Sequence, residues 1–150
     1  MVGKMLNEID ALLAKQACSE LVLKAAAAVD AQDYDTFVTL FTQDAQLQRP
    51  GGVVLRGRAE ILQAYRSKDP QRLTFHVISN HFVTLTAVDR AESRCKVMLY
   101  ATDQRRPATS LGRQADAQQL YGVIHDALIR TDAGWKIQNR QAWFELLIHD

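Results

Sequence analysis

LTFHVISNHFVTLTA, residues 73–87, is the stretch that decides the fold of this chain. It is rich in β-branched and aromatic residues and leads into a turn, Val88-Asp89-Arg90-Ala91, so it predicts a long β-strand. Similar patterns predict three more strands, over residues 92–102, 117–131 and 135–147. These strands are longer than the usual strand of about five or six residues, and a long twisted antiparallel sheet bends strongly. The second half of the chain therefore predicts a curved sheet.

Upstream of this sheet the sequence predicts three helices. Apolar residues at helical spacing predict the first helix over about residues 6–31. Its expected core-facing stripe consists of Ile9, Leu12, Leu13, Ala17, Leu21, Leu23, Ala25 and Ala28. Asp33 is the expected N-cap of a short second helix, and residues 58–67 are expected to form the third. Between the last two lies a small hairpin, with strands at residues 45–49 and 53–55 around Pro50-Gly51-Gly52.

Helices that are separate in sequence from a run of strands are typical of the α+β class. Three helices laid into the concave face of a strongly curved antiparallel or mixed sheet leave space at one end. We expect that space to be an apolar pocket for a small-molecule ligand. The length of 150 residues fits one domain over residues 1–150.

The composition argues against two classes of partner. Lys and Arg outnumber Asp and Glu by only 18 to 17, whereas nucleic-acid binders usually carry a clear basic excess. No apolar run approaches the roughly 20 residues that span a bilayer. Cys18 and Cys95 are interpreted as buried free thiols, which fit a reducing compartment. We therefore expect a cytoplasmic protein with no nucleic-acid partner and no membrane partner.

The order of the elements resembles the NTF2-like superfamily and, within it, the SnoaL-like domain family, over nearly the whole chain. The resemblance is carried by DAQDYD (30–35) followed by LFTQDA (40–45), by GRAEI (57–61), by FHVISN (75–80) and by DAGWKI (132–137). It implies an NTF2-like cone, with distant similarity to scytalone-dehydratase-like proteins and to small subunits of ring-hydroxylating dioxygenases. The superfamily includes dehydratases, isomerases, polyketide cyclases and plain binding modules, so the fold does not settle the function.

The resemblance also implies a pair of site residues. Asp30, at the end of the first helix, falls at the position of a catalytic Asp in scytalone-dehydratase-like members, and His76 matches a pocket histidine of those members. Because residues two apart on a strand share a face, we expect Asn80 deeper on the wall that bears His76. His81 has the opposite parity, so a His-His metal site is not expected.

A carboxylate and an imidazole in an apolar cone can share a proton. Burial is expected to raise the pKa of Asp30 and to make it a stronger base, and an imidazole can donate or accept. Such a pair suits proton abstraction next to a carbonyl, followed by loss of water or a double-bond shift, with no metal or organic cofactor. Structural roles stay open: Asp30 as a helix cap or the partner of a surface Arg, and His76 as a hydrogen-bonded core histidine.

Two departures separate the chain from scytalone-dehydratase-like enzymes. Those enzymes use a second His from the next strand, where this chain has no His and where Lys96 or Val97 falls near the expected position. They also carry a Tyr just before the helix-end Asp, where this chain has Val29. The full dehydratase set is therefore absent, although a simpler acid–base step stays open.

Further pocket residues are expected among the aromatic side chains. The candidates are Tyr65 on the third helix, Tyr100 and Tyr121 on strands, and Trp143 near the C-terminus. A place in the core or at an interface is the alternative for each of them. Residues 103–116 are expected to form an exposed, mobile loop. Its arginines, Arg105, Arg106 and Arg113, are either solvated or part of a lid that meets an anionic group of the substrate.

Two functions of different classes follow. The first is a SnoaL-like enzyme, a cofactor-free dehydratase, isomerase or cyclase that uses Asp30 and His76 for acid–base catalysis on a small cyclic or aromatic substrate. The second is a non-catalytic ligand-binding protein or a structural partner of the dioxygenase small-subunit kind. Apolar residues at both parities, such as Val97, Met98 and Leu99, predict strands buried on both faces and hence a homodimer through the sheet.

Overall fold

The computed structural model describes residues 6–149. Within them the elements are, in chain order, α1 (Glu8–Asp30), α2 (Tyr34–Thr39), β1 (Phe41–Gln48), β2 (Val54–Arg56), α3 (Gly57–Arg66), β3 (Arg72–Ala87), β4 (Arg90–Asp103), β5 (Gln119–Thr131) and β6 (Gly134–Ile148). The predicted N-cap of α2 is confirmed, because Asp33 Oδ1 accepts a hydrogen bond from the backbone N–H of Thr36 at 3.1 Å.

The strands form one sheet in the order β2-β1-β6-β5-β4-β3. Neighbouring strands are antiparallel except for β1 and β6, which run parallel. The helices lie on one face of this sheet, with α1 against β3 and α3 against β1. The prediction of an α+β cone, with helices in the concave face of a curved mixed sheet, is therefore confirmed.

The first strand begins at Phe41, earlier than predicted, because it pairs with a strand that is distant in sequence. Phe41 lies opposite Ile137, and both side chains are fully buried. The backbone N–H of Ile137 also donates to the carbonyl of Leu40 at 2.9 Å. Three polar residues, at positions 42–44, follow Phe41, so local composition gave no sign of a strand at this point.

The buried face of α1 differs from the predicted stripe. Ile9, Leu12 and Leu13 are 62–71% exposed, and Ala17 and Leu23 are also exposed. The buried positions are Ala14, Cys18, Leu21, Val22, Ala25, Ala28 and Val29. Spacings of three and four residues connect these positions, so α1 meets the sheet along a narrow stripe of mostly small side chains. Small residues there keep α1 close to the sheet.

A β-bulge in β3 changes which side chains face the helices. The pairing of β3 with β4 shifts by one residue between Ser79 and Phe82, and Asn80 takes a left-handed conformation with φ of 47°. Asn80 is consequently exposed, and the prediction that it lies on the wall with His76 is wrong. His81 instead turns inward, where its ring nitrogens bond Ser19 Oγ at 3.2 Å and Ser93 Oγ at 2.6 Å. The extra residue in the bulge reverses the alternation of side chains along the rest of β3. A count of two residues per repeat from His76 therefore gives the wrong face for Asn80 and His81.

The opposite face of the sheet carries exposed aromatic residues. Phe75 and Phe82, both on β3, are 66% and 71% exposed. The homodimer expected through this face stays a prediction, and these two side chains are the ones it would cover. No helix within residues 6–149 combines the length and apolar character needed to cross a bilayer.

The bulge yields a stability prediction. Asn80→Val should lower the free energy of unfolding by about 1–2 kcal/mol, because a β-branched residue is strained in the left-handed region that Asn tolerates. Asn80→Gly should be nearly neutral. Thr84→Val, at an exposed position of the same strand, is the matched control and should also be nearly neutral. Urea unfolding measures all three, and equal stabilities of the Val and Gly variants at position 80 would contradict the left-handed bulge.

Candidate active site

The carboxylate of Asp30 joins the end of α1 to the start of β3. It accepts three hydrogen bonds: from the ring Nδ1 of His76 at 2.5 Å, from the backbone N–H of His76 at 2.9 Å and from Thr74 Oγ1 at 2.8 Å. The Asp30 and His76 side chains are only 25% and 20% exposed. Asp30 is therefore neither a helix cap nor the partner of a surface Arg, and it holds the imidazole at a fixed orientation.

This network lowers the pKa of Asp30, contrary to the expectation from burial. Partial burial by itself acts to raise the pKa. The hydrogen bonds from the His76 ring and backbone, the charge of that ring and the Thr74 hydroxyl together outweigh burial and hold the pKa below its ordinary value. Asp30 is thus an ionised carboxylate at neutral pH, and the prediction that it is a strengthened base is wrong. Its geometry suits an orienting role toward His76.

The contact with Asp30 also fixes how His76 can act. Because an ionised carboxylate only accepts, the proton of the neutral imidazole lies on Nδ1, which donates to Asp30. The lone pair is then on Nε2, on the other side of the ring. His76 lines a cavity of about 360 Å³, within the range typical of small-molecule sites. The pair therefore places a nitrogen base on a side chain that lines this cavity.

The walls of this cavity are mostly apolar. α1 contributes small side chains, and β4, β5 and β6 contribute branched and aromatic ones; the apolar lining includes Ala25, Val29, Val97, Leu99, Ile124 and Phe144. Polar groups enter at few points, namely His76, Tyr65, Arg140, Arg49, Lys68 and Gln48. A largely apolar site with a few convergent polar groups is the usual form of a ligand pocket. The predicted pocket residue Tyr65 lies in this wall.

Tyr121 and Trp143 do not reach the cavity, and their placement in it is wrong. Ile124 and Ala142 oppose each other across β5 and β6 and line the cavity, whereas the adjacent Trp143 points to the other face of the sheet. There its ring lies under the guanidinium of Arg94, 5.5 Å from the ring centroid. Tyr121 also has the outward parity of the strand.

Tyr100 lines a different cavity. We call the cavity lined by His76 the main cavity. Tyr100 follows Leu99, which faces the main cavity, so the side chain of Tyr100 leaves from the opposite face of the strand. A second cavity of about 610 Å³ includes Tyr100, Asp30, Thr74 and Arg113. The predicted place of Tyr100 beside His76 in one pocket is therefore wrong. The cavity that His76 lines is the better candidate for the site, because the second cavity does not include His76.

The arginines of the 103–116 loop are engaged by local partners. Arg105 pairs with Asp103 at 2.5 Å, and Arg106 pairs with Asp116 at 2.9 Å. Arg113 donates to the backbone carbonyl of Arg106. The loop is mostly exposed, as predicted, but none of these guanidinium groups lines the main cavity.

Arg140 is a site residue that the sequence analysis missed. It is 7% exposed, lines the main cavity and donates to both carboxylate oxygens of the fully buried Asp126, each at 2.8 Å. Nε and Nη2 make these bonds, and no group among residues 6–149 accepts a hydrogen bond from Nη1. This edge of the guanidinium is left for a ligand. Asp126 and Arg140 lie seven residues before and after Ala133, so the predicted hairpin contained the signal for their pairing.

Two comparisons place this architecture among known proteins. Residues 10–141 match the SnoaL-like domain family. The chain belongs to the SnoaL-like domain family. No curated protein matches the sequence. Within the described part of the chain, no three His, Cys, Asp or Glu side chains are grouped so that they could hold a metal ion.

Solved structures share the fold over almost the whole chain. LinA superimposes with a TM-score of 0.80 at 19% identity, covering 97% of this chain and 95% of LinA. A type 2 hexachlorocyclohexane dehydrochlorinase (LinA) gives 0.78 at 16% identity, with 96% and 97% covered. A proposed scytalone dehydratase from Novosphingobium aromaticivorans gives 0.77 at 17% identity, with 96% and 92% covered. At these identities the likeness establishes the NTF2-like fold and no activity.

The departures from scytalone-dehydratase-like members of the SnoaL-like family fall inside the cavity. Of the two residues that fall near the expected position of the second His, Val97 lines the wall, while Lys96 points away and pairs with Glu145 at 2.9 Å. Val29, in place of the Tyr, is also part of the lining. His125 and Asp126 leave opposite faces of β5, as strand alternation predicted, so they form no pair. His76 is consequently the only imidazole among the described residues that line the main cavity.

The lowered pKa of Asp30 gives a pH-dependent prediction. A depressed pKa in the folded state adds stability above the ordinary pKa of Asp, about 4, and this stability is lost as the pH falls further. Asp30→Asn should therefore cost about 1–2 kcal/mol at pH 7, and the difference from wild type should shrink as the pH falls from 4 to 3. Asp35→Asn, at an exposed surface ion pair, is the control and should cost less than about 0.5 kcal/mol. A constant difference between pH 7 and pH 3 would refute the ionised network.

The buried pair of Arg140 and Asp126 gives a second prediction. Asp126→Leu or Arg140→Met should each cost about 3–5 kcal/mol, because either change leaves an unpaired buried charge. The double variant should cost less than either single variant, since both charges are then gone. Urea unfolding of the four proteins closes this cycle. Costs that simply add in the double variant would show that the two side chains do not depend on each other.

Proposed function

We propose that this SnoaL-like protein is a cofactor-free acid–base enzyme that removes a proton from carbon in a small cyclic substrate, with elimination or a double-bond shift as the outcome. One observation carries the proposal: Nδ1 of His76 is bound to an ionised Asp30 at 2.5 Å, which leaves the lone pair on Nε2, and His76 lines a largely apolar cavity. Asp30 is the positioning residue and His76 the catalytic residue.

The step needs only protein side chains. Nε2 of His76 takes the proton from a carbon of the substrate, and the C–H electron pair becomes the second bond of a C=C. In an elimination, the leaving group on the neighbouring carbon departs with its own bonding pair. In an isomerisation, the electron pair of a double bond already present in the substrate takes the proton back from the imidazolium at another carbon. Asp30 stabilises the imidazolium formed in between, as carboxylates do in other His-based sites.

The guanidinium of Arg140 is suited to the negative charge that develops during this step. Arg140 lines the same cavity as His76, and its Nε and Nη2 are fixed by Asp126, which leaves Nη1 open to a further hydrogen bond. A charge held rigidly in a poorly hydrated site interacts with a developing anion more strongly than it would in water. We assign Arg140 to the leaving group or to the enolate oxygen.

The solved relatives support an elimination. A dehydrochlorinase and a dehydratase, the activities in the names of two structural neighbours, remove a proton and a leaving group to form a double bond. A binding role is the second candidate, and one observation favours it: the strand next to His76 brings the apolar Val97, and no second His, to the cavity wall. The two candidates differ in whether His76 moves a proton.

Proton removal can be measured without knowing the natural substrate. 2-Tetralone in D₂O reports exchange at its acidic carbon by NMR, and hexachlorocyclohexane reports elimination by chloride release. His76→Gln should lower any enzymatic rate by about 100-fold or more, the usual contribution of a general base. His81→Gln, which removes an inward histidine outside the main cavity, is the matched control and should retain the rate within about twofold.

Two results would overturn the enzyme proposal. One is a wild-type rate equal to that of buffer with both probes, together with saturable binding of 2-tetralone, which would favour the binding role. The other is an equal loss in the His76→Gln and His81→Gln variants, which would point to a general loss of structure.

A further inference from the structure

Two cationic side chains meet at one aromatic ring in the wall of the main cavity. Arg49 follows β1 and Lys68 follows α3, and both line the cavity. The Arg49 Cζ lies 5.2 Å and the Lys68 Nζ 4.3 Å from the centroid of the Tyr65 ring, which is 7% exposed. Separate elements thus bring two positive charges to the same aromatic ring. We call Arg49 and Lys68 the cationic rim.

The cationic rim has no negative partner. No Asp or Glu is among the described residues that line the main cavity, and within residues 6–149 neither Arg49 nor Lys68 forms an ion pair. Other cations of the same region do have carboxylates: Arg66 pairs with Asp35 and Arg105 with Asp103. The third cation of the cavity, Arg140, already has a carboxylate partner, Asp126. The cavity therefore retains two uncompensated positive charges.

Holding these charges together is unfavourable for the empty protein. Burial of the Lys68 ammonium, although much of the side chain is exposed, and the nearby charge of Arg49 lower the pKa of Lys68 to about 8. Contacts with the face of Tyr65 offset part of this cost. A bound anion would offset more of it, since charge-assisted hydrogen bonds are about twice as strong as neutral ones.

We propose that the cationic rim binds a carboxylate, so that the ligand is a ring-sized apolar acid with its carboxylate at Arg49 and Lys68 and its apolar body toward His76. This inference rests on the proposed function for the use of His76, but the recognition of the acid does not require turnover. The two cations beside Tyr65 can both donate hydrogen bonds to one carboxylate. The apolar lining of the main cavity can then bind the hydrophobic part of the same ligand.

A matched pair of probes tests the rim. 2-Naphthoate and 2-naphthamide have nearly the same shape and differ in charge, and calorimetry at pH 7 gives the Kd of each. Wild type should bind naphthoate about 10-fold more tightly or better than naphthamide, as expected for a charge-assisted contact. The Arg49→Gln/Lys68→Gln variant should lose this preference and bind naphthamide within about twofold of wild type.

The control removes the same charge elsewhere. Arg66→Gln/Arg90→Gln changes two exposed arginines outside the main cavity and should keep the naphthoate preference. Equal affinities of wild type for both probes, or an equal loss of preference in the control, would overturn the carboxylate-binding rim.

The same binding assay separates this inference from the proposed function. His76→Gln should keep the naphthoate preference even though it abolishes proton transfer. A retained preference with no effect of His76 on any rate would defeat the enzyme proposal and leave the rim standing. A lost preference with normal proton transfer would defeat the rim alone.

Discussion

The carboxylate of Asp30 is the contact on which the site depends. It ends α1, and its three acceptor bonds bind that helix terminus to the backbone and side chains of β3. One group thereby sets the distance between helix layer and sheet at this end of the cone, the orientation of the His76 ring and the nitrogen that carries its proton. Partial burial makes these charge-assisted bonds stronger than they would be in water. Because three donors already bind the Asp30 carboxylate, we assign the reactive role in the pair to His76.

The sheet supplies the rest of the site through breaks in its regular alternation. The bulge at Asn80 lets one strand use His76 at the cavity and His81 against α1. A second register shift, between Tyr121 and Gly122, lies where β5 and β6 approach so closely that a Cβ at Gly122 would fall 2.2 Å from the carbonyl oxygen of Trp143. Bulges of this kind re-aim side chains near functional sites. Charge also differs among the cations of the cavity, because Arg140 has a carboxylate partner in Asp126 and the cationic rim has none.

The sequence predicts the α+β cone from strand length and helix periodicity. It also predicts that Asp30 and His76 form a pair, through the local patterns that carry the family resemblance. It failed where structure depends on distant pairing or on one extra residue. The parallel contact of Phe41 with Ile137 joins segments far apart in sequence. Strand alternation places Asn80 beside His76 only in a regular strand, and the bulge breaks that regularity. Tyr121 and Trp143 have the outward parity of their strands, so alternation itself separates them from the cavity. Asp126 and Arg140 lie at equal distances from the predicted hairpin turn, so the sequence indicates that they pair. Nothing in the local sequence indicates that this arginine also lines the cavity.

The central claim is that Asp30 fixes His76 with its proton on Nδ1 and its lone pair on Nε2. Long-range ¹H–¹⁵N NMR correlations of the ¹⁵N-labelled protein at pH 7.5 distinguish the two neutral tautomers of each histidine directly. The account predicts a protonated Nδ1 and an unprotonated Nε2 for His76, with this pattern lost in the Asp30→Asn variant. A His76 ring with its proton on Nε2, or a tautomer unchanged by Asp30→Asn, would contradict it.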